Sequence, residues 1–157
     1  FNTKNDLYLA VLRGACNEIT QHLDKLGDDR GALADRFGAF ADAHLQSLID
    51  REPITRLILR ELLSGNPRLG QELAEKVFGE KFAQFVAILR AGQQAGTLRR
   101  DIDPAMVATL LIGADMFFVE SRDVLRHLPG VGFGNKPARY SAMLTDILLH
   151  GILPKKK

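Results

Sequence analysis

Residues 104–128 read PAMVATLLIGADMFFVESRDVLRHL, and this stretch decides the fold class. Asp103 is a good N-cap and Pro104 a good first helical residue, so a helix is predicted to begin here. Apolar side chains then point in every direction around the helix axis, with Asp115 among them. A helix that is apolar on all sides must be covered on all sides. We therefore expect residues 104–128 to form a helix enclosed by other helices or by a second copy of the chain.

Helix patterns cover most of the remaining sequence. Apolar residues recur at spacings of three and four, while Gly27, the SGNP segment at 64–67 and Gly96 mark helix ends. The fourth helix is expected to bend at Gly79. The predicted helices span residues 4–26, 31–51, 52 to the SGNP segment, 67–95, 104–128 and 137–153. The predicted fold class is all-α, a six-helix orthogonal or antiparallel bundle in which residues 1–157 form one domain.

Composition excludes several classes of protein. The net charge is +2, and Lys and Arg are spread along the chain, which argues against nucleic-acid binding by these residues themselves. The single cysteine, Cys16, rules out an internal disulfide and is typical of a reducing compartment. The most apolar stretch, residues 107–119, is too short and too interrupted to span a bilayer. We expect a soluble cytoplasmic protein without membrane contact.

Catalytic and metal-binding patterns are missing from the sequence. The four histidines, His22, His44, His127 and His150, form no pair with metal-ligand spacing. There is no nucleophile elbow and no phosphate-cradling glycine loop, and Cys16 lies among apolar residues where a small buried role is expected. We predict neither enzymatic activity nor a metal nor a cofactor.

Several residues have both a structural and a ligand-binding interpretation. His44 lies in the apolar stripe of the second helix, either as a core residue with a local hydrogen bond or facing a cavity. Two interpretations are open for the polar residues of the third helix, Arg56, Arg60 and Glu61. They form a solvated face with a helical charge pair, or they supply polar anchors for a ligand. The phenylalanines are plain core or line a pocket for a mainly apolar or aromatic compound with one or two polar groups. The candidate ligand-binding residues are Phe40, His44, Arg60, Glu61, Phe82, Phe85 and Phe118.

The last two helices favour self-association. A two-fold dimer would bury the all-round apolar helix and the stripe of helix 137–153 in a four-helix packing. Burial of both helices inside a monomeric core is the alternative. The buried carboxylate of Asp115 needs a partner, which is a donor across the interface or a ligand. The candidate interface residues are Leu111, Asp115, Arg122, Tyr140, Met143, Leu144 and Ile147.

Three segments resemble the tetracycline-repressor (TetR) family of transcriptional regulators. FNTKNDLYLAVL, residues 1–12, is similar to the point where the DNA-binding head of such a protein ends and a long connecting helix begins, with Phe1, Lys4 and Asp6 at matching positions. RLILRELLSGNPRL, residues 56–69, and GTLRRDIDPAMVATLLIGA, residues 96–114, resemble segments of the C-terminal domain. Each motif is degenerate, but their order and spacing agree over nearly the whole chain.

The resemblance implies a bacterial transcriptional regulator, expected to be a repressor, with an effector pocket in the helical body and a homodimer interface on the last two helices. It also implies a DNA-binding head upstream of residue 1, through which alone operator DNA is bound. An effector beside Val11, Ala15 and Ile19 would then shift the first helix and with it the head. The alternative is a free-standing helical small-molecule-binding or scaffold domain with no DNA-binding function.

Overall fold

Helices account for most of the chain. The computed structural model describes residues 3–152, within which there are eight α-helices, one π-helical segment and no strand, so the all-α prediction is confirmed. Phe1 and the predicted end of the last helix at residue 153 lie outside the described residues. The helices are α1 Lys4–Ala15, α2 Glu18–Gly27, α3 Leu33–Asp50, α4 Glu52–Leu63, α5 Pro67–Leu73, α6 Gly79–Gln94, α7 Pro104–Leu125 and α8 Pro137–Ile152, with the π-helical segment at Ala74–Phe78.

The first predicted helix, residues 4–26, is two helices in the structure. The chain turns at Cys16 and Asn17, where the amide of Asn17 donates to the carbonyl of Gly14 at 3.2 Å. The guanidinium of Arg51, at the end of α3, donates to the carbonyl of Ala15 at 2.8 Å. This contact satisfies a carbonyl that loses its helical partner at the break. A residue distant in sequence therefore contacts the break, and the apolar periodicity of 4–26 does not reveal this contact.

The fourth predicted helix, residues 67–95, is interrupted by the π-helical segment Ala74–Phe78. Asn66 caps its start by accepting from the amide of Leu69 at 3.3 Å, as the sequence indicates. At Gly79, where a bend was predicted, the structure has a change of helix type, since the π-helical segment ends directly before this residue. A Cβ on Gly79 would lie 2.5 Å from the carbonyl oxygen of Ala74, so the wider π turn needs a glycine at this position.

Helix α7 begins where the sequence predicts and packs with one side against the core. Asp103 accepts from the amide of Ala105 at 2.8 Å, and Pro104 is the first helical residue. One side of α7 is buried against α3, α4 and α6, whereas the opposite side is exposed along the described chain. This chain therefore covers only one side of α7, whereas the sequence predicted a helix that is covered on all sides. The buried residues of α7 are Pro104, Val107, Ala108, Leu111, Asp115, Met116, Phe118 and Val119.

Candidate functional site

A cavity of about 380 Å³ lies in the helical body. Its walls come from α1 to α4, from α6 with the preceding residue Phe78, and from α7; no described residue of α8 is part of them. The volume falls within the range of small-molecule sites in proteins, which are mostly apolar with a few polar groups. The lining residues are Ala15, Cys16, Ile19, His22, Leu23, His44, Ser47, Leu48, Arg51, Ile54, Thr55, Ile58, Leu62, Phe78, Lys81, Phe82, Phe85, Thr109, Ile112, Gly113 and Met116.

Helical periodicity explains how distant residues reach one cavity. Three walls each supply four residues at positions i, i+3, i+4 and i+7, which lie on one face of a helix. The face of α3 runs from His44 to Arg51, one residue after the helix ends. The face of α6 runs from Phe78, one residue before the helix begins, to Phe85, and the face of α7 from Thr109 to Met116. The cavity is therefore enclosed by the same stripes that build the core.

His44 joins the cavity to α7. Its Nδ1 lies 2.7 Å from the carboxylate of Asp115, and both side chains are buried. Its other ring nitrogen, Nε2, has no hydrogen-bond partner among residues 3–152. Burial raises the pKa of Asp115, while the hydrogen bond from His44 acts in the opposite direction. The imidazole of His44 thus lines the cavity with one edge and is fixed on its other edge by the Asp115 carboxylate of α7.

The Asp115 carboxylate also faces α8. The hydroxyl of Tyr140 is buried near Asp115 without a hydrogen bond of ordinary geometry, and burial together with Asp115 raises the pKa of Tyr140. The Tyr140 ring stacks on Phe118, with ring centroids 3.9 Å apart and planes 11° apart. Contacts therefore continue from the cavity through His44 and Asp115 to both α7 and α8.

The cavity has a cationic end. Burial raises the pKa of the Cys16 thiol, and the positive charges of Lys81 and Arg51 oppose that effect, so both cations lie near this sulfur. Arg51 is held by its bond to the carbonyl of Ala15 and by an ion pair with Glu18. The lining, all of it within the described residues, contains no carboxylate.

Three of the seven predicted ligand-binding residues, His44, Phe82 and Phe85, line the cavity. The other four do not. Phe40 stacks behind His44 at a centroid distance of 6.0 Å, and Phe118 packs in a separate core cluster. Arg60 and Glu61 form an ion pair at 3.3 Å outside the cavity lining, in which Arg60 is exposed and Glu61 is half-buried beside Tyr8 of α1.

Sequence reasoning missed the two cations of the lining, Lys81 and Arg51. A usable signal was present for Lys81, since it lies at i+3 from Phe78 and directly before Phe82 on a face that was already assigned to the pocket. Arg56, which is outside the lining, forms an ion pair with Glu52 at 2.8 Å and a second ion pair with Glu120 at 3.4 Å.

The predicted interface residues divide into inner and outer groups. Leu111 and Asp115 are buried within the chain, Leu144 packs against the core, Tyr140 stacks on Phe118, and Arg122 pairs with Glu52. Two of the seven, Met143 and Ile147, are exposed. The exposed side of α7 adds apolar residues that sequence reasoning did not name. We define the α7/α8 apolar face as Met106, Leu110, Phe117, Val124, Met143 and Ile147.

Two further features concern membranes and metals. By length and hydropathy alone, α7 is long and apolar enough to cross a membrane. It is longer than the apolar stretch 107–119, which the sequence indicated to be too short. In the structure, 44% of its most apolar window is buried. The core helix of a soluble protein passes the same test, so this is weak evidence for a membrane span. Within residues 3–152, no group of three His, Cys, Asp or Glu side chains could hold a metal ion.

Comparison with known families explains this arrangement. Residues 28–119, more than half of the chain, match the family described as tetracyclin repressor-like, C-terminal domain. The chain belongs to this family. The resemblance to TetR regulators is thereby confirmed. The matched residues of this TetR-family domain include the cavity walls from α3 to α7 together with His44, Asp115 and Lys81.

The fold is similar to that of a solved transcriptional regulator of the TetR/AcrR family from Thermobifida fusca YX-ER1. The TM-score is 0.62 at 18% sequence identity, and the similarity covers 96% of this chain and 75% of that one. At this identity, the likeness concerns the fold alone. No curated protein matches the sequence.

Proposed function

We propose that this TetR-family domain is the effector-binding and dimerisation domain of a bacterial cytoplasmic repressor, which a small, mainly apolar ligand releases from operator DNA. The cavity of about 380 Å³ carries this proposal. Most of its lining is aliphatic or aromatic, and a few polar groups at defined positions can orient a ligand. The domain acts by binding and not by catalysis.

The α7/α8 apolar face supports the homodimer. Its six large side chains are exposed in the single chain, and several large apolar side chains exposed on neighbouring helices are typical of a protein-protein interface. On α7 the exposed residues Met106, Leu110, Phe117 and Val124 are spaced by four, seven and seven positions, so they lie along one stripe of the helix, as they do in a helix that packs against other helices. Two copies of α7 and α8 would form a four-helix packing around a two-fold axis.

The contacts behind His44 support coupling between ligand and dimer. A ligand that moves His44 acts directly on the buried carboxylate of Asp115, which belongs to one of the two proposed interface helices. A ligand shifts the equilibrium between two arrangements of the dimer only as far as it binds one arrangement more tightly than the other. This difference in binding free energy is typically about 1–3 kcal/mol.

The break between α1 and α2 supports a refined version of the lever expected from the sequence. Ala15, Cys16 and Ile19 line the cavity, whereas Val11 is exposed and does not. A ligand therefore contacts the first helix only at its C-terminal end. We propose that occupancy moves α1 about the turn at Cys16 and Asn17, and that operator contacts are made by a DNA-binding head outside these 157 residues.

A cavity-filling variant tests the proposal. Ser47 lies on the cavity face of α3, so Ser47→Phe places a phenyl ring in the space that a ligand would occupy. Ala87→Phe puts the same ring on the exposed side of α6 and is the matched control. Calorimetry with 4-phenylbutyramide and 4-phenylbutyrate is expected to detect binding of one compound per chain that Ser47→Phe abolishes and Ala87→Phe keeps. Equal binding to both variants would contradict it, as would the failure of the unmodified chain to bind either of these compounds, decanoate or decanamide.

A further inference from the structure

The cavity contains one ammonium group without a counter-charge. Lys81 lies in the first turn of α6, between the lining residues Phe78 and Phe82, and is half-buried. It has no hydrogen-bond or ion-pair partner among residues 3–152. The other cation of the lining, Arg51, is paired with Glu18, and the lining contains no carboxylate. The cavity therefore has one uncompensated positive charge at its cationic end.

The apolar part of the cavity extends away from this charge. Along α3, Arg51 and His44 are seven residues apart, which corresponds to about 10 Å of helix. Phe82 and Phe85 follow Lys81 on the cavity face of α6, and Ile112 and Met116 face them from α7. A cationic end thus opens onto an apolar channel that reaches as far as the imidazole of His44.

The volume limits the size of the part of a ligand that lies inside the cavity. A water molecule occupies about 30 Å³ in the liquid. If each non-hydrogen atom of a ligand takes the same volume, the cavity of about 380 Å³ holds about twelve of them. Three of them belong to a carboxylate, which leaves about nine for an apolar body.

Resting on the function proposed above, we propose that the effector is a monoanionic amphiphile, a carboxylic acid with an apolar body of about nine carbons, whose carboxylate binds the ammonium of Lys81. One carboxylate matches one uncompensated cation through a charge-assisted hydrogen bond. A phosphate monoester carries about −1.5 to −2 at pH 7 and would leave excess negative charge in an apolar cavity. An amine would place a second cation beside Lys81 with no carboxylate in the lining to pair it.

Calorimetry with two matched pairs of compounds tests the inference. Decanoate is compared with decanamide and 4-phenylbutyrate with 4-phenylbutyramide. Each pair keeps the apolar body and differs in the head group, an anionic carboxylate or a neutral amide of similar size. The two acids distinguish a straight chain from an aryl group. We expect at least one acid to bind the unmodified chain at least about tenfold more tightly than its amide, the loss expected for one charge-assisted hydrogen bond.

Variants at Lys81 identify the group that is responsible. Lys81→Met is expected to weaken binding of that acid by at least about tenfold and to leave amide binding unchanged. Lys81→Arg keeps the charge and should keep acid binding. Lys25→Met, which removes an exposed ammonium from α2 outside the cavity, is the control and should behave as the unmodified chain.

The outcomes separate this inference from the proposed function. Equal affinities of acid and amide, or unchanged acid binding by a folded Lys81→Met, would overturn the inference while effector binding stands. Failure of all four compounds to bind would overturn both. If Lys81→Met does not fold, the comparison of acid with amide on the unmodified chain and on Lys81→Arg decides the question.

Discussion

At the scale of single residues, His44 combines two roles that the sequence presents as alternatives. It is a buried residue with a hydrogen bond to Asp115, and it also lines the cavity. Its position in an apolar stripe indicates burial, but the partner lies 71 residues away on α7. The sequence could predict that Asp115 needs a donor, yet only the packing of α3 on α7 shows that the donor belongs to the same chain.

The first prediction concerns this buried pair. His44→Leu leaves Asp115 buried without its partner, so the free energy of unfolding is expected to fall by about 3 to 5 kcal/mol. The double variant His44→Leu with Asp115→Leu removes both polar groups and should recover much of that loss. Urea denaturation of the single and double variants measures both effects. A double variant no more stable than His44→Leu alone would show that Asp115 is not left unsatisfied in the single variant.

The second prediction concerns the thiol of Cys16. Burial raises its pKa, and the thiolate is the reactive form, so alkylation by iodoacetamide at pH 8 is expected to be slower in the folded chain than in urea. The difference in alkylation rate between the folded chain and the chain in urea should become smaller as the pH rises through the pKa of the folded-state thiol. Because Lys81 lowers that pKa, Lys81→Met should slow alkylation further, while Lys25→Met should not.

Mass spectrometry follows this alkylation without ambiguity because Cys16 is the single cysteine. Faster alkylation of Lys81→Met than of the unmodified chain would place Lys81 away from the sulfur and contradict the cationic end of the cavity.

At the scale of elements, local signals were sufficient for helix starts and insufficient for helix breaks. The caps at Asn66 and Asp103 are present as the sequence indicates, because a cap depends on residues within one turn. At the break at Cys16 and Asn17, the carbonyl of Ala15 accepts from Arg51 at the end of α3, and no periodicity within residues 4–26 contains that information. Six predicted helices thus became eight within the described residues through tertiary contacts and one π-helical segment.

The third prediction concerns that π-helical segment. A Cβ at Gly79 would lie 2.5 Å from a backbone oxygen, whereas at Gly70 of α5 it would meet nothing within 4 Å. Gly70→Ala is expected to stabilise the chain by about 0.5–1 kcal/mol because alanine has the higher helix propensity. Gly79→Ala is expected to destabilise it by about 1–3 kcal/mol, as overpacking does. Urea midpoints measure both changes, and stabilisation by both substitutions would contradict the need for glycine at the π turn.

At the scale of the whole molecule, the sequence predicted the family correctly and predicted less accurately which residues line the cavity. Three of seven ligand-binding predictions line the cavity, because a stripe of aromatic residues does not distinguish core from cavity wall: Phe82 and Phe85 face the space, whereas Phe118 faces Tyr140. The composition of α7 indicated that other helices or a second copy of the chain must cover both of its sides. Only the packing shows that Leu111 is buried in this chain and Phe117 is exposed.

The fourth prediction concerns the dimer. Phe117 is 66% exposed in the centre of the α7/α8 apolar face, and Phe117→Glu would put a charge into an interface expected to bury upwards of about 2,000 Å². Light scattering at low micromolar concentration is expected to give a dimer for the unmodified chain and a monomer for the variant. Leu63→Glu, at a 76% exposed apolar residue of α4 away from this face, is the control and should remain a dimer. A dimer for all three proteins would place the interface elsewhere.

The central claim is that this TetR-family domain binds an effector in each protomer of a dimer, and native mass spectrometry of the chain with decanoate tests both parts at once. The expected result is a species of twice 17.4 kDa, with up to two bound decanoates that are lost in Ser47→Phe and kept in Ala87→Phe. A species of 17.4 kDa without decanoate, at concentrations where light scattering is also performed, would contradict the claim.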